Sequence, residues 1–150
     1  MAKKVLIVYH SMGGNTKAAA EAVASGARKV EGVEAQVIEA LKAGPGDLTG
    51  CAAVAFGTGD YFSYMAGGLK DFLDRCYYPT QNQVTDKPCA IFVTHGGGGR
   101  AVDGLKDIVR SFKLRLFVPP LLVLNHPDDE AKSKLAAMGE TLGKVIAVNG

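Results

Sequence analysis

The segment Ser11-Met12-Gly13-Gly14-Asn15-Thr16 has the residue types of an anion cradle. Its two glycines let the backbone turn tightly and come close to a ligand. Ser11, Asn15 and Thr16 add side-chain donors. The segment lies between a short apolar run, Val5–Tyr9, and an alanine-rich helical stretch. The free N–H groups at the head of that helix point at the same spot. A triphosphate loop has its lysine just before the Ser/Thr of G-x-x-x-x-G-K-[ST], whereas Lys17 follows Thr16. The pattern therefore disfavours a magnesium-bound triphosphate and suits a single phosphomonoester.

Two further segments carry chemistry. Gly57-Thr58-Gly59-Asp60-Tyr61-Phe62-Ser63-Tyr64-Met65 brings Tyr61, Phe62 and Tyr64 together within four positions. Rings gathered in a loop suit a flat partner to stack on, the plain alternative being packing on neighbouring helices. Thr94 and His95 lead into Gly96, Gly97, Gly98 and Gly99. Four glycines in a row carry an entropic cost that a plain surface loop seldom bears, and they suit a backbone lying against a ligand. Gly96, Gly98 and Ala101 also match the dinucleotide fingerprint in spacing. That fingerprint needs an acidic residue about 20 positions on, where Val118-Pro119-Pro120-Leu121 stands. A Rossmann dinucleotide site is set aside. His95 closes a strand-like run, where a strand-end side chain bonded to backbone is the plain reading. His10, His95 and His126 each end an apolar run. Sheet spacing would keep the first and last apart, so no metal is expected. Ser11 lies in no G-x-S-x-G elbow, which removes a hydrolase triad.

Strands and helices alternate around these segments. Val5–Tyr9, Cys51–Phe56 and Cys89–Thr94 read as buried strands, and Val33, Ala35 and Val37 alternate as in an edge strand. Leu114–Leu124 reads as the last strand, bent or kept at the edge by Pro119-Pro120. Helical stripes run through Asn15–Val30, through Met65, Leu69, Phe72, Leu73 and Cys76, through Val102, Leu105, Ile108, Val109 and Phe112, and from Ala131 to Ile146. Five strands and about four helices in strict alternation predict a parallel sheet covered on both faces, a doubly wound α/β fold. Ligands in such sheets sit beyond the carboxyl ends of the strands, where all three segments fall.

The 150 residues, 47% hydrophobic and 21% charged, fit one domain over 1–150. A net charge of +2 does not call for nucleic acid, and no apolar run reaches the length of a membrane span. The opening Met-Ala-Lys-Lys precedes only a strand-length apolar segment, too short for a signal peptide, so a cytoplasmic protein is expected. Cys51, Cys76 and Cys89 are expected to be reduced and buried.

The chain resembles the short-chain flavodoxin-like proteins, whose sheet order is 2-1-3-4-5 and whose first loop reads roughly [ST]-x-[TG]-G-[NHQ]-[TIV]. Ser11-Met12-Gly13-Gly14-Asn15-Thr16 fits that pattern throughout. The resemblance implies FMN, its phosphate held by this loop and its ring by Thr58, Gly59, Asp60, Tyr61 and Phe62 and by Thr94, His95 and Gly96–Gly99. The second and third loops are similar to those of the NAD(P)H:quinone oxidoreductase branch. Family analogy makes Gly59-Asp60 a peptide that can turn its carbonyl toward the N5–H of reduced flavin, and makes His95 a proton donor to a quinone. The chain departs from both branches. It is slightly basic, has no aromatic in the third loop, and carries Lys113 where the quinone branch has a histidine. The expected function is electron carriage between redox partner proteins. The alternative is NAD(P)H-dependent quinone or flavin reduction, and a non-redox binding module is a weaker third. Pairing with a second copy is left open by the resemblance.

Overall fold

The computed structural model describes residues 2–148. Chain order is β1 (Lys3–Tyr9), α1 (Asn15–Ala27), β2 (Val33–Glu39), α2 (Pro45–Gly50), β3 (Ala53–Gly59), α3 (Gly67–Tyr77), β4 (Pro88–His95), α4 (Ala101–Ser111), β5 (Arg115–Leu116), β6 (Leu121–Leu124) and α5 (Asp129–Val148). All pairings are parallel and the sheet runs β2-β1-β3-β4-β5, with β6 also on the free side of β4. This is the doubly wound order expected from the alternation and the family resemblance.

Successive strand side chains point to opposite faces, and β1 shows what that does here. Leu6 and Val8 pack with Val54, Phe56, Ile91 and Val93 against Leu69, Phe72 and Leu105 of α3 and α4. Val5 and Ile7 pack with Ala55 and Phe92 against Val23 of α1 and Leu135 and Leu142 of α5. On the second face α1 and α5 meet through glycine. A Cβ on Gly26 would strike the Ala136 carbonyl oxygen, and one on Gly139 the Val23 carbonyl oxygen. Only hydrogen at those positions lets the backbones approach so closely.

The last strand is two short pieces. β5 pairs Arg115–Leu116 with Pro88–Cys89, and β6 pairs Leu121–Leu124 with Phe92–His95. The gap between them holds Pro119-Pro120, and proline has no N–H to give a ladder. α2 is an addition to the four helices expected. It has six residues, Pro45 at its first position and Asp47 accepting from Gly44 N at 2.9 Å. That is too short for a 3.6-residue stripe to show. Lys87 clamps its far end, its Nζ donating to the carbonyls of Leu48, Thr49 and Cys51 at 2.9, 2.8 and 2.6 Å. α1 ends at Ala27 rather than Val30, and Gly32 at φ +78° turns the chain into β2.

Candidate functional site

A cleft of about 280 Å³ opens at the carboxyl ends of β1, β3, β4 and β6, lined by parts of all three loops and by Asn125. The sheet order reverses between β1 and β3, so the β1 and β3 loops diverge to opposite faces and leave a crevice.

The first loop leaves Tyr9 and turns into α1 at Gly14, whose φ of +100° is left-handed and suits only glycine well. Ser11 Oγ accepts from Gly14 N at 2.9 Å, which closes the turn. The first turn of α1 carries no acidic residue. A Cβ on Gly13 or Gly14 would meet nothing within 4 Å, so the loop backbone is open above. Ser11, Met12, Gly13, Asn15 and Thr16 line the cleft. Unpaired helix N–H groups, a hydroxyl and an amide with no carboxylate among them form a donor set that fits a phosphate monoester.

In the second loop, Phe62 and Ser63 both have positive φ, at 55° and 64°. Tyr61 and Tyr64 close the turn with N–H···O bonds of 2.9 and 3.0 Å. That geometry presents Phe62 fully to solvent, while Tyr61 folds inward. The Tyr61 hydroxyl accepts from Met12 N at 3.3 Å, and its ring lies so close to Gly59 that a Cβ there would be 2.7 Å from ring carbon Cζ. Tyr61 therefore bridges the second loop to the first.

Asp60 occupies the cleft wall but its carboxylate is committed. Oδ2 accepts from Gly99 N at 2.7 Å and Arg100 N at 3.2 Å, and Oδ1 from Ala101 N at 3.2 Å. It caps α4 from another loop, satisfying N–H groups that the helix itself leaves open. The third loop folds accordingly: Gly99 is buried against Asp60, and Gly96, Gly97 and Gly98 stay exposed. His95 Nδ1 accepts from Gly97 N at 3.0 Å, so the ring N–H left to donate is on Nε2. The Thr16 and Thr94 hydroxyls share a buried bond of 2.7 Å that ties the first loop to the third.

The structure brings Ser11, Met12, Gly13, Asn15, Thr16, Gly59, Asp60, Tyr61, Thr94, His95 and Gly96 into one cleft. Gly14, Thr58, Phe62, Gly97, Gly98 and Gly99 do not line it. Thr58 is fully buried, donating to Gly59 O at 2.7 Å and accepting from Ala66 N at 2.8 Å, so it braces the loop against the start of α3. Asn125 lines the cleft and was not singled out from the sequence. Its N–H donates to His95 O at 2.8 Å, and its φ of +57° is a conformation asparagine tolerates. The readable signal was an Asn-His-Pro run ending the last strand at the same sheet edge. His10 lies apart. Its Nδ1 is 3.3 Å from Glu39 Oε1, and its ring fills the space a Cβ on Gly68 would need.

Fold and cleft together define a doubly wound α/β protein with a cleft at its switch point. The family described as NADPH-dependent FMN reductase matches residues 46–128, a span that holds the second and third loops but not the first. An NAD(P)H dehydrogenase (quinone) of Acidithiobacillus ferrooxidans is 30% identical over 149 residues, covering 83% of this chain and 71% of that protein. A flavodoxin of Aquifex aeolicus is 31% identical over 96 residues, 64% of this chain and 52% of the other. Among solved structures, a flavodoxin from the domain Archaea superposes with a TM-score of 0.88 at 26% identity, covering 96% of this chain and 99% of that one. The chain belongs to the NADPH-dependent FMN reductase family of flavodoxin-like proteins.

Proposed function

We propose that this chain is an FMN-binding flavodoxin-type redox protein that carries electrons between partners. The observation that carries the reading is the carboxylate-free seat at the head of α1, continuous with a slot bounded by Gly59, Tyr61, Thr94, His95 and Gly96. Ser11, Gly13, Asn15 and Thr16 would hold the phosphate, and the slot residues would bound the ring. When bound, FMN supplies one- and two-electron redox chemistry. The chain's own residues set the surroundings. The Thr16–Thr94 bond fixes the seat relative to the third loop, Asp60 fixes that loop relative to α4, and His95 offers an Nε2–H donor at the rim. Met12 (75% exposed), Phe62 (103%) and Leu124 (60%) rise from three loops and strands around the same sheet edge. Exposed apolar groups of this kind suit direct contact with a redox partner protein.

One feature favours reduction by NAD(P)H, with a quinone or flavin as acceptor. The glycines of the third loop leave that wall without a ring, and a Cβ on Gly97 would meet open space. A nicotinamide or quinone ring has room to stack there. Anaerobic titration of the FMN-loaded protein with NADPH, with dithionite as control, separates the two. Reduction by dithionite alone is expected. Rapid bleaching by NADPH would replace the carrier reading with the reductase one, and failure to retain FMN would overturn both. Among the described residues no helix is long and apolar enough to cross a membrane. Three buried free cysteines support a cytoplasmic setting as part of the same proposal.

A further inference from the structure

We infer that His126 is a phosphate-recognition residue of the cleft, holding the Asn15 amide in a donating orientation. This rests on the FMN reading above and extends it to a residue outside the three loops.

The residues lining the cleft include no Lys or Arg, and Asp60 is the acid among them. A helix N-terminus presents roughly half a positive charge. A phosphomonoester near neutral pH brings between about 1.5 and 2 negative charges. The seat thus relies on neutral donors, and their orientation decides how well it holds an anion.

His126 stands next to that seat. Its Nδ1 lies 3.2 Å from Oδ1 of Asn15, the first residue of α1 and part of the cleft wall. An amide oxygen only accepts, so the proton in this contact belongs to Nδ1. With Oδ1 engaged, the Nδ2 amine is the end of Asn15 left for the cleft. A neutral imidazole carrying its proton on Nδ1 is sufficient to hold the amide this way.

The segment carrying His126 is held in place on both sides. Asn125 N donates to His95 O at 2.8 Å, and Pro127 is buried directly behind. Asp128, the nearest acid in the chain, has Oδ1 engaged by Ala131 N at 2.8 Å as part of the α5 start. Asp129 and Glu130 follow in the first turn of α5, and Lys17 lies in the first turn of α1. His126 itself is exposed, so its hold on the Asn15 amide is a hydrogen bond at the rim of the seat rather than a buried one.

His126 is a positioning residue for Asn15, and its test separates phosphate recognition from loop packing. The apoprotein is titrated with FMN and with riboflavin by quenching of flavin fluorescence, for wild type, His126→Ala and His126→Gln. FMN affinity is expected to fall about tenfold in His126→Ala and about threefold in His126→Gln, with riboflavin affinity unchanged in both. Equal loss for FMN and riboflavin would make His126 a packing residue, and unchanged FMN affinity would remove it from the site. A second measurement does not depend on flavin. The His126 ring resonances of the wild-type chain are expected to shift on addition of inorganic phosphate, and their immobility would overturn the inference. Failure of the wild-type chain to quench either flavin would instead overturn the cofactor reading, leaving the phosphate titration to decide the role of His126.

Discussion

Replacing Asp60 by alanine removes three hydrogen-bond acceptances at once, from the N–H groups of Gly99, Arg100 and Ala101. Arg100 is exposed and water can replace its partner, whereas Gly99 and Ala101 are buried residues. Loss of a helix cap costs about 1 kcal/mol and at most about 2. A buried donor left without a partner costs about 1–3 kcal/mol, less where water reaches it. Taken together these set the loss near 2–3 kcal/mol. For a chain of this size each kcal/mol moves Tm by about 2–4 °C, so Asp60→Ala is expected to lower Tm by roughly 5–10 °C. Asp60→Asn keeps the shape and one acceptor oxygen, and should lose about half as much. Calorimetry and urea unfolding of the apoprotein measure both. Unfolding of Asp60→Ala within about 1 °C of wild type would refute the cap. A defect seen only in flavin binding, with stability intact, would return Asp60 to the directly acting role that family analogy gave it.

Gly139→Ala is expected to destabilise by about 1–3 kcal/mol or more, because its methyl would press on the Val23 carbonyl. Gly50→Ala, with open space around its Cβ, should stay within about 0.5 kcal/mol, and urea midpoints for the pair compare the two. Burial pushes the Cys51 and Cys76 thiols up to about 11, and Cys89 further still in the same direction. Native protein at pH 8 is therefore expected to label slowly with a disulfide reagent, which absorbance of the released thiolate follows. An acid group raised on folding stabilises fully below its unfolded pKa and loses that contribution as pH climbs to the folded one. Stability should accordingly fall between about pH 9 and about pH 11, and urea midpoints across that window check the sign.

Long-range order was readable because periodicity is a strong signal over long elements. The apolar runs of β1, β3 and β4 and the stripes of α3, α4 and α5 all stand where the pattern predicts, give or take their ends. α2 escaped because six residues are too few to show a stripe, though Pro45 and Asp47 mark its start. At the cleft, residue types named the loops, and the structure adds bonds that sequence does not announce. Asp60, expected as part of the Gly59-Asp60 peptide, lines the cleft and also caps α4, whereas Thr58, expected as a contact, lies off the cleft and braces Ala66. Both bonds join segments distant in the chain, and no local pattern announces them. Asn125 and His126 were passed over for the complementary reason: their part depends on which strand lies beside which.

The division of the core into two layers puts the two ends of the cleft on separate helical supports. The first loop and the Asn125–His126 segment lead into α1 and α5, the layer locked by Gly26 and Gly139. The second and third loops lead into α3 and α4 on the opposite face. The anion end of the cleft thus inherits one layer and the aromatic end the other, with the sheet as a partition between them. The partition is bridged at the sheet edge by Met12 N donating to the Tyr61 hydroxyl and by the Thr16–Thr94 bond, so a change in the second or third loop is felt at the first. The span matched by the family, 46–128, begins only after β2 and takes in all of the α3–α4 layer. A substitution in one helical layer therefore reaches the other end of the cleft through these loop contacts.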